Sequence, residues 1–350
     1  MPIGARRVFR LASAMALSLG GAYGLSLPLP YIAPILALML GLKPAPPLPL
    51  KGLLGLLILL CLATGAGLLV VPLLDHFPAS GFLIVAGGVF LANHLSVNKG
   101  KGAVGSLLTV GLTLLTAAGL ASLALAQIIV VALVMAVLMA VLSHHLVYLF
   151  FPEPSGPGGA AARPTPDEDT PGMWIALRAT LIVLPSYFLA LTNPSLYIPL
   201  IMKSVSLGQQ GSITDARAAG RELLGSTFMG GLLAILFWIA LDLWTSLWMF
   251  TVTMLLFGIF LASRIYRIVP TRFTPPFWIN SAVTMLILLG PAVQDAANGN
   301  DVYMAFAVRM GLFIFVTVYA WLAVIALDLL RRRYLSSLER RFHPEEPVRC

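Results

Sequence analysis

The stretch Pro194-Ser195-Leu196-Tyr197-Ile198-Pro199-Leu200-Ile201-Met202-Lys203, with the polar turn that follows and the run Arg217-Ala218-Ala219-Gly220-Arg221-Glu222-Leu223-Leu224-Gly225-Ser226-Thr227-Phe228-Met229-Gly230-Gly231, decides how this chain is read. Its apolar part is too short to cross a bilayer as one unbroken helix of about 20 residues. It is bounded by Pro194, interrupted by Pro199, and lies beside Lys203, Gln209, Gln210, Asp215, Arg217 and Arg221. That combination describes a discontinuous membrane helix. A counterpart lies in the first half, where Pro28, Pro30 and Pro34 break the apolar residues 27–42.

Composition supplies the solvent for that helix. Of the 350 residues 59% are apolar and only 10% charged, where a soluble domain carries about 25% charge. Mean hydropathy is +0.93, and apolar runs able to span a hydrocarbon core of roughly 30 Å recur throughout. The expected fold is an all-α polytopic membrane protein of about twelve spans. They fall near 8–27, 29–42, 53–74, 81–97, 104–123 and 128–151, then 174–191, 196–205, 223–241, 244–265, 277–291 and 302–330.

The formal charge of +8 does not argue for nucleic acid, because the basic residues sit in short loops and at the ends. Arg6, Arg7 and Arg10, then Lys43 with Lys51, Lys99 with Lys101, Lys203 with Arg217 and Arg221, Arg264 with Arg267 and Arg272, and Arg331 to Arg333 fall on one side if the span count is even. The positive-inside rule then sets both termini in the cytoplasm. The arginines before residues 11–27 imitate a signal peptide, but the many spans downstream favour an uncleaved first helix. Cys61 and Cys350 form neither a disulfide framework nor a metal spacing.

Residues 152–172 are rich in Pro, Gly and Ala and read as a flexible linker between a first membrane repeat, 1–151, and a second, 173–330, followed by a basic tail, 331–350. The halves match at a near-constant offset. Tyr31-Ile32-Ala33-Pro34 faces Tyr197-Ile198-Pro199, Lys51-Gly52-Leu53-Leu54-Gly55 faces Arg221-Glu222-Leu223-Leu224-Gly225, and Phe90-Leu91-Ala92 faces Phe260-Leu261-Ala262. Six spans per copy give both copies the same orientation, and short proline-interrupted helices at equivalent places point to a transporter's substrate site.

Ionisable groups inside spans are the candidates for chemistry. Arg10, Arg178, His144, His145 and Asp328 lie near cytoplasmic ends, where long side chains reach water. Arg309 stands about 12 Å into the last helix, eight residues beyond Asp301, and either faces a cavity or pairs with Asp301 or Asp295. Lys203, Arg217 and Arg221 converge on a helix N-terminus and would hold a carboxylate, unless they are ordinary positive-inside charge. Asp215 or Glu222 could neutralise these arginines or carry a proton, as could Asp242 at an outer end and His94. Tyr197, with Tyr187, Phe188 and Phe228, could stack a ring or simply pack. Gly65, Gly67, Gly225, Gly230 and Gly231 allow close helix approach. No phosphate loop, dinucleotide fingerprint, zinc-protease motif or nucleophile elbow occurs, so no enzyme and no cofactor is expected.

An N-terminal span preceded by arginines, a Pro-rich short second span, and in each half a basic residue leading into a Gly-rich helix (Lys51 to Gly67, Arg221 to Gly231) resemble the fusaric acid resistance and aromatic acid exporter proteins of bacterial inner membranes. The resemblance implies proton-driven export of aromatic or similar amphiphilic organic anions, commonly with a periplasmic HlyD-type membrane-fusion adaptor. It maps the family's basic residue onto Arg221. The chain departs from many relatives in having only the short linker where they carry a cytoplasmic domain.

The expectation is a secondary exporter, possible as a homo-oligomer, with Lys203, Arg217, Arg221, Arg309 and Tyr197 around the substrate and Asp215, Asp242 or His94 taking the proton. The competing reading is a non-transporting scaffold that anchors a periplasmic partner, in which charges within helices are dispensable and the outer loop 295–301 matters.

Overall fold

A computed structural model of the chain describes residues 2–42, 45–99, 102–153, 172–211 and 216–342. Twelve α-helices account for nearly all of them and no strand occurs among them. The first six are α1 (Ile3–Gly24), α2 (Ile32–Gly41), α3 (Leu50–His76), α4 (Pro78–Lys99), α5 (Gly102–Ala121) and α6 (Leu123–Phe150). The second six are α7 (Gly172–Thr192), α8 (Pro194–Gly211), α9 (Ala216–Asp242), α10 (Leu247–Ile265), α11 (Pro275–Ala297) and α12 (Val302–Phe342). Among the described residues nine helices, α3 to α7 and α9 to α12, are long and apolar enough to cross a membrane. The chain is a multi-pass helical membrane protein.

Its outer surface shows the same solvent preference. Leu50, Leu54, Ile58 and Leu62 recur every four residues along one face of α3 and are all exposed. A soluble protein would turn such a stripe inward, whereas lipid tails accept it. Helix ends are set by ordinary local rules. Ser122 and Ser246 cap α6 and α10 by accepting the N–H of Leu125 and Met249, each at 3.1 Å, and Pro275 opens α11 where its missing N–H costs nothing.

The two proline-rich segments behave differently. The ten residues of α2 span about 15 Å, and Pro34 falls in its first turn, where proline fits. The turn before it is tight: Ser26 and Leu29 hold φ of 50° and 48°. In the second half the expected break at Pro199 is absent. Pro199 lies inside α8, which runs unbroken for 18 residues, about 27 Å, through Lys203. Lost backbone bonds at a membrane-helix proline are tolerated where neighbouring helices hold the segment, and α8 packs on α5, α7, α11 and α12. Lys203 is therefore in mid-helix and not at the end of a short segment. The last helix also overruns its expected end at 330, continuing to Phe342 in the stretch read as a tail.

Although the packing of α8 on α11 has no comparable contact between α2 and α5, several pairings recur in both halves. In the first, α1 packs on α2 and α6, α3 on α4 and α5, and α5 on α4 and α6; in the second, α7 packs on α8 and α12, α9 on α10 and α11, and α11 on α10 and α12. Across the halves α1 lies along α10, and α4 along α7. Close approach between α1 and α10 is possible because Gly258 faces Ala12, where a Cβ would sit 3.1 Å from the Ala12 backbone. The core centres on α11, whose residues from Phe277 to Ala292 are almost all buried.

Candidate functional site

The buried polar centre of the molecule lies where α8, α9 and α11 meet. Lys203 is fully buried, and its ammonium donates to Thr284 Oγ1 at 2.7 Å and to Asn280 Oδ1 at 3.2 Å. Ser206, one turn on, donates to the same Asn280 oxygen at 3.0 Å, while the Asn280 amide donates to Ser226 Oγ at 2.6 Å. Ser281 Oγ reaches the Ser226 carbonyl at 3.1 Å. Lys203 is nine residues into α8 and Thr284 nine residues into α11, so both lie about 14 Å from their helix starts. α11 is among the helices able to cross a core of roughly 30 Å, and Thr284 stands near the middle of it.

Local sequence explains the junction. Asn280, Ser281 and Thr284 occupy adjacent positions on one side of α11, inside an otherwise apolar run. Ser226 can reach them because Gly230 brings α9 against α11: a Cβ there would lie 2.5 Å from Thr284 Cβ and 2.6 Å from the Ser281 carbonyl oxygen. Gly225 plays a milder part, with Phe277 3.1 Å from the place of its missing Cβ. One turn before Ser226 on α9, Glu222 is also buried and accepts from Thr274 Oγ1 at 2.7 Å. The site is thus a buried lysine whose hydrogen-bond partners are neutral oxygens, with a buried carboxylate a turn away along one wall.

An ammonium has three N–H donors and no acceptor. Held by two uncharged oxygens in a low-dielectric interior, its charge is poorly compensated. Such an arrangement is suited to an arriving anion, which would supply both the missing acceptor and the missing charge.

The other expected site residues are dispersed. Arg221 is exposed on α9, more than a turn past the start of that helix, so neither the cluster nor the helix N-terminus includes it. Arg309 pairs with Asp295 at 2.5 Å near the α11–α12 loop, the structural alternative rather than the cavity-facing one. Asp242 is exposed at the end of α9. Tyr197 is half-buried in the first turns of α8 and packs against the core, six residues before Lys203. His94 is half-buried in α4, 6.0 Å from the ring of Phe90. Asp215 and the side chain of Arg217 lie outside the described residues. Tyr187 is fully buried and stacks on Phe82, while Phe188 and Phe228 are exposed, so these rings do not line one pocket.

A second polar centre was not anticipated. Arg10, expected to snorkel, is only 5% exposed. Its Nη1 donates to Glu153 Oε2 at 2.7 Å, and Arg7 Nε donates to Glu153 Oε1 at 2.8 Å. Glu153, read as the start of a loose linker, is instead tied to α1. Burial by itself would raise its carboxyl, but hydrogen bonds and charge from Arg7 and Arg10 outweigh that and hold it below the ordinary glutamate value. A carboxyl with a depressed folded value contributes stability above the ordinary range of about 4.3 and loses it as pH falls through the folded value. Acidifying from about pH 6 to about pH 3 is therefore expected to lower the unfolding temperature more steeply in the native chain than in Glu153→Gln, measured by thermal unfolding in detergent. Equal slopes would remove the pair from the stability of this end.

The adjacent histidines diverge, as their spacing requires. His144 Nε2 meets the Ala37 carbonyl on α2 at 2.8 Å, and His145 Nδ1 meets the Val141 carbonyl of its own helix at 2.9 Å.

Comparison with known proteins adds one match. A family model described as a protein of unknown function (DUF2955) matches residues 7–147, which covers α1 to most of α6. No curated protein and no solved structure matches the chain.

Proposed function

We propose that the protein is a secondary transporter of small amphiphilic or aromatic organic anions, with Lys203 as the substrate's counter-charge. The observation that carries this reading is the full burial of Lys203 among Asn280, Thr284 and Ser206, near the middle of α8 and α11. An uncompensated ammonium at that depth is costly, and intramembrane ionisable residues are ordinarily kept for substrate or ion pathways.

The architecture in this reading is two like-oriented six-helix repeats, with twelve spans and both termini in the cytoplasm of an inner membrane. Recurrence of several pairings six helices later, together with α1–α10 matching α7–α4 across the halves, supports it. So does a family match that stops near the end of α6. Glu222 is the proton carrier in place of Asp215, Asp242 or His94, because it is a buried carboxylate on the α9 wall of the site. Resemblance to the fusaric acid resistance and aromatic acid exporter proteins adds export direction and a periplasmic HlyD-type adaptor to the proposal.

The test is reconstitution of the full chain in proteoliposomes, with a panel of aromatic and aliphatic organic acids, with and without a pH gradient. Expected is movement of at least one acid that is accelerated by the gradient and abolished when the gradient is collapsed. Movement of none under either condition would favour the scaffold reading.

A further inference from the structure

Tyr31 ends the turn between α1 and α2, residues 25–31, and is only 2% exposed, although connecting turns ordinarily run over the surface. Its side chain fills the space beside Gly290 of α11. A Cβ at Gly290 would overlap the Tyr31 ring and sit 2.6 Å from the Tyr31 Cβ, so the fit requires glycine there. Because α2 belongs to the first six helices and α11 to the second, the ring is seated across the two halves. Pro291 follows at once inside α11, where proline removes a backbone bond and gives the helix a place to bend. The turn itself is stiff and strained. Pro28 and Pro30 flank Leu29, and Ser26 and Leu29 hold φ of 50° and 48°, a left-handed conformation that persists only where the surroundings enforce it.

We propose that this turn is the outer gate of the transport path, with Tyr31 as the key that holds the two halves together at α11. The proposal rests on the transporter reading and on its topology, in which the end of α1 faces outward. Gly290 stands six residues beyond Thr284, about 9 Å further along α11 toward that side. The contact therefore joins the halves between the level of the Lys203 cluster and the outer surface. Transport by rocking one repeat against the other needs such a contact to be made in one state and broken in the other. Opening draws Tyr31 off Gly290, releases the enforced backbone at Leu29 and bends α11 at Pro291.

Thiol labelling of Thr284→Cys, in the full chain carrying Cys61→Ala and Cys350→Ala, tests the gate without depending on transport. Thr284 is fully buried, and the probe is a membrane-impermeant methanethiosulfonate applied to right-side-out and to inside-out membrane vesicles. Expected is labelling from the outer face at least about tenfold faster once Tyr31→Ala is added, with the rate from the inner face unchanged. Equal rates, or acceleration from both faces or from the inner one alone, would overturn the gate. Should Tyr31→Ala fail to fold, Tyr31→Cys with Gly290→Cys takes its place. A disulfide wants about 3.8 Å between Cβ atoms, which the pair reaches by a shift of about 1 Å from the 2.6 Å seen here. Oxidation is expected to form that bond and to slow outer-face labelling at position 284 at least about tenfold, and reduction to restore it. Absence of the bond, or an unchanged rate with the bond formed, would equally overturn the gate. Transport by the native chain separates the two readings: acid movement with unaltered labelling leaves the transporter and removes the gate, whereas altered labelling with no acid moved keeps Tyr31 as the closure and removes the transporter.

Discussion

Lys203→Met is expected to reduce transport in proteoliposomes by about 100-fold or more while leaving the protein as stable as the native chain, or more so. The loss follows from removing a desolvated charge from the proposed anion site, an effect worth about 2–5 kcal/mol when one partner of a buried charge pair is truncated. The unchanged or raised stability follows from the cluster itself. Methionine nearly matches the lysine stem in volume, and it removes an ammonium whose burial is offset only by neutral oxygens. The partners it abandons are not orphaned: Asn280 Oδ1 keeps the hydroxyl of Ser206, and Thr284 keeps its own bond to the Asn280 carbonyl at 2.6 Å. A merely structural lysine would show the opposite pattern, with stability falling and transport following it. Efflux and thermal unfolding measured on the same preparations separate the two, and native transport in Lys203→Met would end the claim that this residue faces the substrate.

Gly230→Ala is expected to destabilise the protein by about 1–3 kcal/mol, the range for overpacking a well-filled core. The added methyl would meet Thr284 Cβ at 2.5 Å and the Ser281 carbonyl oxygen at 2.6 Å. Neither is the free end of a flexible side chain, so α9 must move away from α11. That movement also draws Ser226 from Asn280, whose 2.6 Å bond is one of the contacts orienting the Lys203 partner. Gly65→Ala is the matched control: nothing lies within 4 Å of a Cβ at that position. Alanine there should be neutral or gain up to about 1 kcal/mol from helix propensity. Thermal unfolding of both variants decides the matter, and equal midpoints would mean that α9 and α11 are not held at the distance seen here.

Chain composition by itself determined the solvent, the all-helical class and the approximate positions of twelve helices, because hydrocarbon demands long apolar segments with internally satisfied backbones. It placed Lys203 at the end of a short broken segment, among the basic residues of a loop, because Pro199 reads as an interruption of the helix that in fact carries it. The inward direction of each helix was not readable. In a soluble helix the polar stripe marks the outside, but when lipid and core are equally apolar that periodicity carries little information. Arg221, Arg309 and Lys203 were therefore indistinguishable along the chain, and folding alone turned Arg221 outward, gave Arg309 to Asp295 and enclosed Lys203. The Asn280, Ser281 and Thr284 group on α11 was a usable signal, three polar side chains on one side of an apolar segment. Its meaning depended on Lys203, some 77 to 81 residues away, just as Arg10 depended on Glu153 at a separation of 143. Charges buried in a membrane protein are governed by what other helices bring to them, and that is decided only when the helices pack.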